Sequence, residues 1–60
     1  MRKYRGHLEI YLGAEPWDTD SVSLKCKDLF GAVQELSTVV TRLQKCYGEA
    51  FTIKSYLREA

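Results

Sequence analysis

Residues 22–48 read VSLKCKDLFGAVQELSTVVTRLQKCYG, and within this stretch the hydrophobic period changes from two to about 3.6. Before Asp28 apolar and polar residues alternate, as they do in a half-buried strand. After Asp28 apolar residues recur at steps of three and four, which predicts an amphipathic helix over residues 29–47. Asp28 is suited to cap the first turn, and Gly48 to end the helix. The predicted core-facing row is Leu29, Val33, Leu36, Val40, Leu43 and Tyr47, flanked by Ala32, Val39 and Cys46.

The chain on both sides of this stretch alternates in the manner of strands. Residues 4–12 alternate strictly, residues 21–27 alternate up to the helix, and residues 51–58 alternate again with Ser55 interrupting the inner row. Residues 13–20 collect Gly, Pro, Asp and Thr, which predicts a loop that carries Trp17.

The element order therefore predicts an α+β fold, a two-layer sandwich in ββαβ order that forms a single domain over residues 1–60. The first two strands are expected to form an antiparallel hairpin. If the third strand lies beside the first, every neighbouring pair is antiparallel and the most regular strand is central. We therefore expect the strand order 2-1-3, with 1-2-3 as the alternative.

Length and charge exclude several classes of protein. Sixty residues leave no room for a second domain, and no continuous apolar run is long enough to cross a membrane. Nine basic and eight acidic residues exclude a polyanionic mimic and a histone-like polycation. A core this small is marginal, so we expect a partner or a second copy. The first residues do not resemble a secretory signal, which favours a cytoplasmic location with reduced thiols.

The residues that carry chemistry are sparse. The sequence has one histidine, two cysteines without C-x-x-C spacing and no phosphate-binding glycine loop. We therefore expect no enzyme activity and no catalytic, cofactor-binding or metal-binding residues. Cys26 and Cys46 are expected to be packed core thiols, separated by the length of the helix and so not bonded to each other.

One face of the predicted sheet is unusually basic. The helix is expected to cover the other face, and the outward residues include six of the nine bases against one acid. They are Lys3, Arg5, His7, Glu9, Tyr11, Ser23, Lys25, Lys27, Thr52, Lys54, Tyr56 and Arg58. Such a face suits an acidic protein surface or a phosphate backbone with stacked bases, although charge on a solvated sheet also serves solubility alone.

Trp17 is the second feature of interest. It stands among Glu15, Asp18 and Asp20, where a single large ring is suited to anchor in a pocket of another protein. The alternative is that the ring folds back over the open end of the core.

These features predict a non-enzymatic interaction module that covers a site on a larger protein, and a protein that handles nucleic acid is one candidate target. In its small size and its lack of chemical motifs the chain is similar to the compact antagonists of phages and mobile elements, such as antitoxin-like or anti-defence inhibitors. The alternatives are a small nucleic-acid-binding protein and a dimeric structural subunit; no membrane partner is expected. The residues predicted to bind the partner are Arg5, His7, Tyr11, Trp17, Lys25, Lys27, Lys54, Tyr56 and Arg58.

Overall fold

A computed structural model of the chain describes residues 2–59, which form one antiparallel sheet and one helix. In chain order the elements are β1 (Arg2–Leu12), β2 (Glu15–Cys26), α1 (Leu29–Tyr47) and β3 (Phe51–Glu59). The strand order is β2-β1-β3, and α1 packs on one side of the sheet. The predicted α+β class, the ββαβ order and the strand order 2-1-3 are confirmed.

The helix begins and ends where the sequence predicts. The Asp28 carboxylate accepts a hydrogen bond from the Gly31 N–H at 2.9 Å, as an N-cap does. Gly48 ends the helix with φ 106° and ψ 173°, and its N–H donates to the Gln44 carbonyl at 2.9 Å. A positive φ is easily reached only by glycine, so the helix stops at this residue.

The core lies between α1 and the inner rows of β1 and β2. The buried apolar residues are Tyr4, Leu8, Ile10, Leu24, Cys26, Ala32 and Leu36. The Leu36 side chain of α1 packs directly over Gly6, where an added Cβ would lie 2.5 Å from Cδ1 of Leu36. The contact of α1 with β1 therefore depends on a residue without a side chain.

The predicted loop over residues 13–20 is wrong. Only Gly13 and Ala14 form a turn, and β2 already begins at Glu15. Pro16 and the nearby acidic residues favour a loop in isolation, but an edge strand tolerates them because one side of its backbone faces solvent. The pairing runs from Ile10 with Asp18 to Tyr11 with Pro16, so Trp17 is the extra residue of a β-bulge.

The helix buries a narrower stripe than its sequence predicts. Leu29 and Val33 are 57% and 50% exposed, and Cys46 is exposed as well. Three strands cover only the middle of the apolar face, which contains Ala32 and Leu36, so the flanks remain open. The prediction that Cys46 packs in the core is therefore wrong, whereas Cys26 is buried as expected. Both thiols are free.

The one helix that lies within residues 2–59 is not long and apolar enough to cross a membrane.

Candidate interaction surface

The strand register brings most of the predicted binding residues to the side of the sheet that faces away from α1, which we call the open face. Across β1, His7 lies opposite Ser21 and Tyr56, and Glu9 opposite Thr19 and Lys54. The open face consists of Lys3, Arg5, His7, Glu9 and Tyr11 on β1, Thr19, Ser21, Ser23 and Lys25 on β2, and Thr52, Lys54, Tyr56 and Arg58 on β3. Lys27 lies beyond the end of β2, in the two-residue connection to α1.

One end of the open face is a cluster of four bases. Lys3 pairs directly with Lys25 across β1 and β2, and Arg5 pairs directly with Arg58 across β1 and β3. All four side chains are exposed. Like charges directly opposite each other destabilise a sheet. We call these residues the basic cluster: Lys3, Arg5, Lys25 and Arg58.

The basic cluster has no acidic neighbour to neutralise it. Within residues 2–59 the one ion pair shorter than 4 Å joins Arg2 to Glu59 at 3.5 Å, and it involves none of the four cluster residues. Arg5 instead donates a long hydrogen bond to the Ser21 hydroxyl at 3.4 Å. The cluster is therefore an exposed concentration of positive charge that an anionic partner would stabilise.

The other end of the open face is organised around Glu9. Its Oε1 accepts hydrogen bonds from the hydroxyls of Tyr11 at 3.0 Å and Tyr56 at 3.2 Å. Nζ of Lys54 lies 4.9 Å from the centroid of the Tyr11 ring, within the range of a cation–π contact. The hydrogen bond to Glu9 raises the pKa of Tyr11, and the charge of Glu9 raises the pKa of Tyr56. This end is thus a pre-formed network centred on a negative charge.

Trp17 lies away from the open face. The bulge turns its ring toward the helix side, where it meets Phe51 edge-on at 5.4 Å between centroids and an angle of 75°. Phe51 in turn contacts Tyr47 at 5.2 Å. Trp17 lies in a strand and not in a loop, and it is 56% exposed. Its role as an anchor for a partner stays a prediction.

Cys26 has a polar partner that the sequence pattern did not reveal. Its Sγ donates to Oε2 of Glu35 at 3.0 Å, and this hydrogen bond raises the pKa of the thiol above its ordinary value. A raised pKa keeps the thiol protonated and makes it a poor nucleophile.

Two groups of surface residues escaped the sequence analysis. The first is the outer edge of β3, where Ser55 and Leu57 form a groove with Val33, Ser37 and Val40 of α1. The second is the pair Asp18 and Asp20, whose carboxylates accept hydrogen bonds from the N–H of the next residue, each at 2.8 Å. The interruption of the inner row at Ser55 is the one sequence signal that pointed to the groove.

In the part of the chain that the structure describes, no three His, Cys, Asp or Glu side chains are grouped to hold a metal ion. No family model, curated protein or solved structure matched this chain.

Proposed function

We propose that this chain is a non-enzymatic binding module that places the basic cluster on an acidic surface of a larger protein and blocks that surface. The observation that carries the proposal is the double pairing of like charges, Lys3 with Lys25 and Arg5 with Arg58, without a carboxylate in reach. Such pairs oppose folding. An acidic partner offsets the repulsion within these pairs, because its carboxylates neutralise the four bases.

A protein surface fits the open face better than a nucleic-acid strand. A phosphate backbone that continued along β1 from Arg5 would reach the Glu9 carboxylate after about 13 Å, since a strand rises about 3.3 Å per residue. The tyrosine hydroxyls are engaged by Glu9, and Lys54 already covers the Tyr11 ring. Stacking of bases on Tyr11 would have to displace Lys54. A compact acidic patch on a protein needs only the basic cluster.

The proposed mode of action is occlusion. The open face has charge and shape for docking, and a docked module excludes whatever else uses the same acidic surface. An inhibitor or antagonist of this kind needs no chemistry of its own. We expect it to act in the cytoplasm, where free thiols such as Cys26 and Cys46 stay reduced.

The test uses three baits for affinity capture from nuclease-treated extract of cells that produce the chain. They are the wild type, the face variant Arg5→Glu/Lys25→Glu and the control Arg42→Glu/Lys45→Glu. Both variants change the net charge by the same amount, but Arg42 and Lys45 lie on the outer side of α1. We expect a protein that the wild type and the control retain and the face variant loses, with the interaction then measured by calorimetry.

Equal retention by the face variant and the wild type would contradict the proposal. Retention that a parallel capture finds only in untreated extract would instead assign the basic cluster to nucleic acid. That second function is favoured by the exposure of Tyr56, which is 51%. It predicts oligonucleotide binding that weakens steeply with salt, because counterions are released from each neutralised phosphate.

A further inference from the structure

The outer edge of β3 offers unpaired backbone groups at every second residue. The Phe51 N–H donates to the Gly48 carbonyl and the Phe51 carbonyl accepts from Nε2 of Gln44, so both groups point away from β1. In an antiparallel pair, residues alternate between facing the partner strand and facing away from it. The N–H and C=O groups of Ile53, Ser55 and Leu57 therefore face the free edge as well.

The opposite edge of the sheet is protected over residues 16–21. On β2 the same alternation directs the N–H groups of Thr19 and Ser21 outward, and the carboxylates of Asp18 and Asp20 accept hydrogen bonds from them at 2.8 Å. Pro16 and the bulge at Trp17 interrupt this edge further. No such device guards β3 between residues 53 and 57, and Lys54 is directed over the Tyr11 ring on the open face.

We propose that a second copy of this chain occupies the β3 edge, with the two β3 strands antiparallel about a two-fold axis at Ser55. In this register Ser55 exchanges both backbone hydrogen bonds with the partner's Ser55, and Ile53 does so with the partner's Leu57. The backbone groups of Ile53, Ser55 and Leu57 are then all satisfied. The proposal is independent of the proposed function, because it depends on backbone groups that the basic cluster does not use.

Charge selects this register over its neighbours. Centring on Ser55 places Lys54 opposite the partner's Tyr56, which carries no like charge. Centring on Lys54 places that lysine opposite itself. Centring on Tyr56 places Lys54 opposite the partner's Arg58. Only the register about Ser55 leaves no like charges opposed among these three.

The flank of α1 beside this edge supplies an apolar contact. Val33 is 50% exposed, and with Val40 and Leu57 it lines the groove that ends at Ser37 and Ser55. Both serines lie close to the proposed axis, where their small side chains permit the two helices to approach. Pairing of the edges therefore also removes from water the flank that the sheet leaves exposed.

The first experiment is a mass measurement by light scattering across a concentration series. We expect twice the chain mass of 6.9 kDa at high concentration. A mass of one chain at all concentrations up to about 1 mM, where even a binding free energy near 4 kcal/mol would show as a dimer, overturns the proposal.

The second experiment tests the register by cross-linking in a Cys46→Ser background, which removes the exposed native thiol. Ser55→Cys is expected to form a disulfide between copies, because paired Cα atoms lie about 5.5 Å apart, within the range of a disulfide. Thr52→Cys is the control. Thr52 faces the partner's Arg58 and lies about 20 Å along the strand from the partner's Thr52. Cross-linking of Thr52→Cys as fast as Ser55→Cys overturns the register.

The third experiment exchanges charge. Tyr56→Lys places two lysines opposite each other twice in the dimer and is expected to weaken dimerisation about tenfold. Adding Lys54→Glu converts both contacts to ion pairs and is expected to restore the dimer. Thr38→Lys, on the outer side of α1, adds the same charge without effect. Failure of the double variant to recover would contradict the Lys54–Tyr56 pairing.

Discussion

At the residue scale, Gly6 leaves room in the core for the Leu36 side chain of α1. A Cβ there would lie 2.5 Å from Leu36 Cδ1 and 3.3 Å from Val22 Cγ2. We expect Gly6→Ala to lower the free energy of unfolding by about 1–3 kcal/mol, the usual cost of overpacking a core, as measured by denaturant titration. Gly31→Ala is the matched control: its Cβ meets nothing closer than 3.4 Å, so the better helix propensity of alanine should leave stability equal or higher. Equal losses in both variants would contradict the close approach at Gly6.

The basic cluster predicts that a charge reversal stabilises the fold. Lys25→Glu converts the pair with Lys3 from repulsive to attractive, and we expect the free energy of unfolding to rise by about 0.5 kcal/mol. The gain should shrink as salt is added, since both side chains are exposed. Thermal unfolding at low and high salt measures this, with Arg42→Glu on the outer side of α1 as the control of equal charge change. A loss of stability at low salt would mean that Lys25 is held by contacts other than its pairing.

At the element scale, the bulge decides the role of Trp17. Trp17→Ala removes one edge-to-face contact with Phe51, and we expect a loss of about 1 kcal/mol in stability. Affinity for a partner bound through the open face should not change, because the ring lies on the helix side. Binding curves and thermal melts on the same samples separate the two effects. A loss of affinity in the fully folded variant would show that Trp17 belongs to the interface after all.

The elements that the sequence predicted well are those with a strong local signal. β1 alternates regularly between apolar and polar residues. α1 lies between a capping Asp28 and a terminating Gly48, so the bounds of the helix follow from its own sequence. The first half of β2 was missed because Pro16 and Asp18 favour turns locally, and only pairing with β1 makes them a strand. Exposure of Val33 could not be predicted either, since it depends on how many strands lie under the helix.

At the scale of the whole molecule, the composition of the open face follows from alternation, whereas its organisation depends on register. The sequence indicated a basic face with two tyrosines. It did not show that Lys3 meets Lys25 or that Glu9 receives both tyrosine hydroxyls, because a shift of two residues would keep the same face and change every pair. The predicted order 2-1-3 already made β3 an edge strand, but which of its backbone groups face outward depends on the register.

Alkaline pH is expected to destabilise the fold. The hydrogen bond to Glu35 raises the pKa of Cys26, so the folded state holds this proton more tightly than the unfolded state. That contribution is complete below the ordinary thiol pKa of about 8.5 and is lost as the pH rises through the raised value. Burial likewise raises the pKa of Tyr47, which adds a loss at higher pH.

Denaturant unfolding between pH 7 and pH 10 tests this expectation. Glu35→Gln removes the charge beside Cys26 and should make the decline shallower than in the wild type. Parallel declines in the two proteins would assign the alkaline loss to other groups.

The guarded edge of β2 has a consequence for how far association can proceed. A chain with two unprotected sheet edges can add copies without limit, as in a fibril, whereas a chain with one such edge stops at a dimer. Asp18 and Asp20 use their own carboxylates to occupy the N–H groups of Thr19 and Ser21, two of the groups that a further strand would need. In the proposed dimer both β3 edges are used, so growth into fibres would have to proceed through β2, where the N–H groups of Thr19 and Ser21 are already occupied.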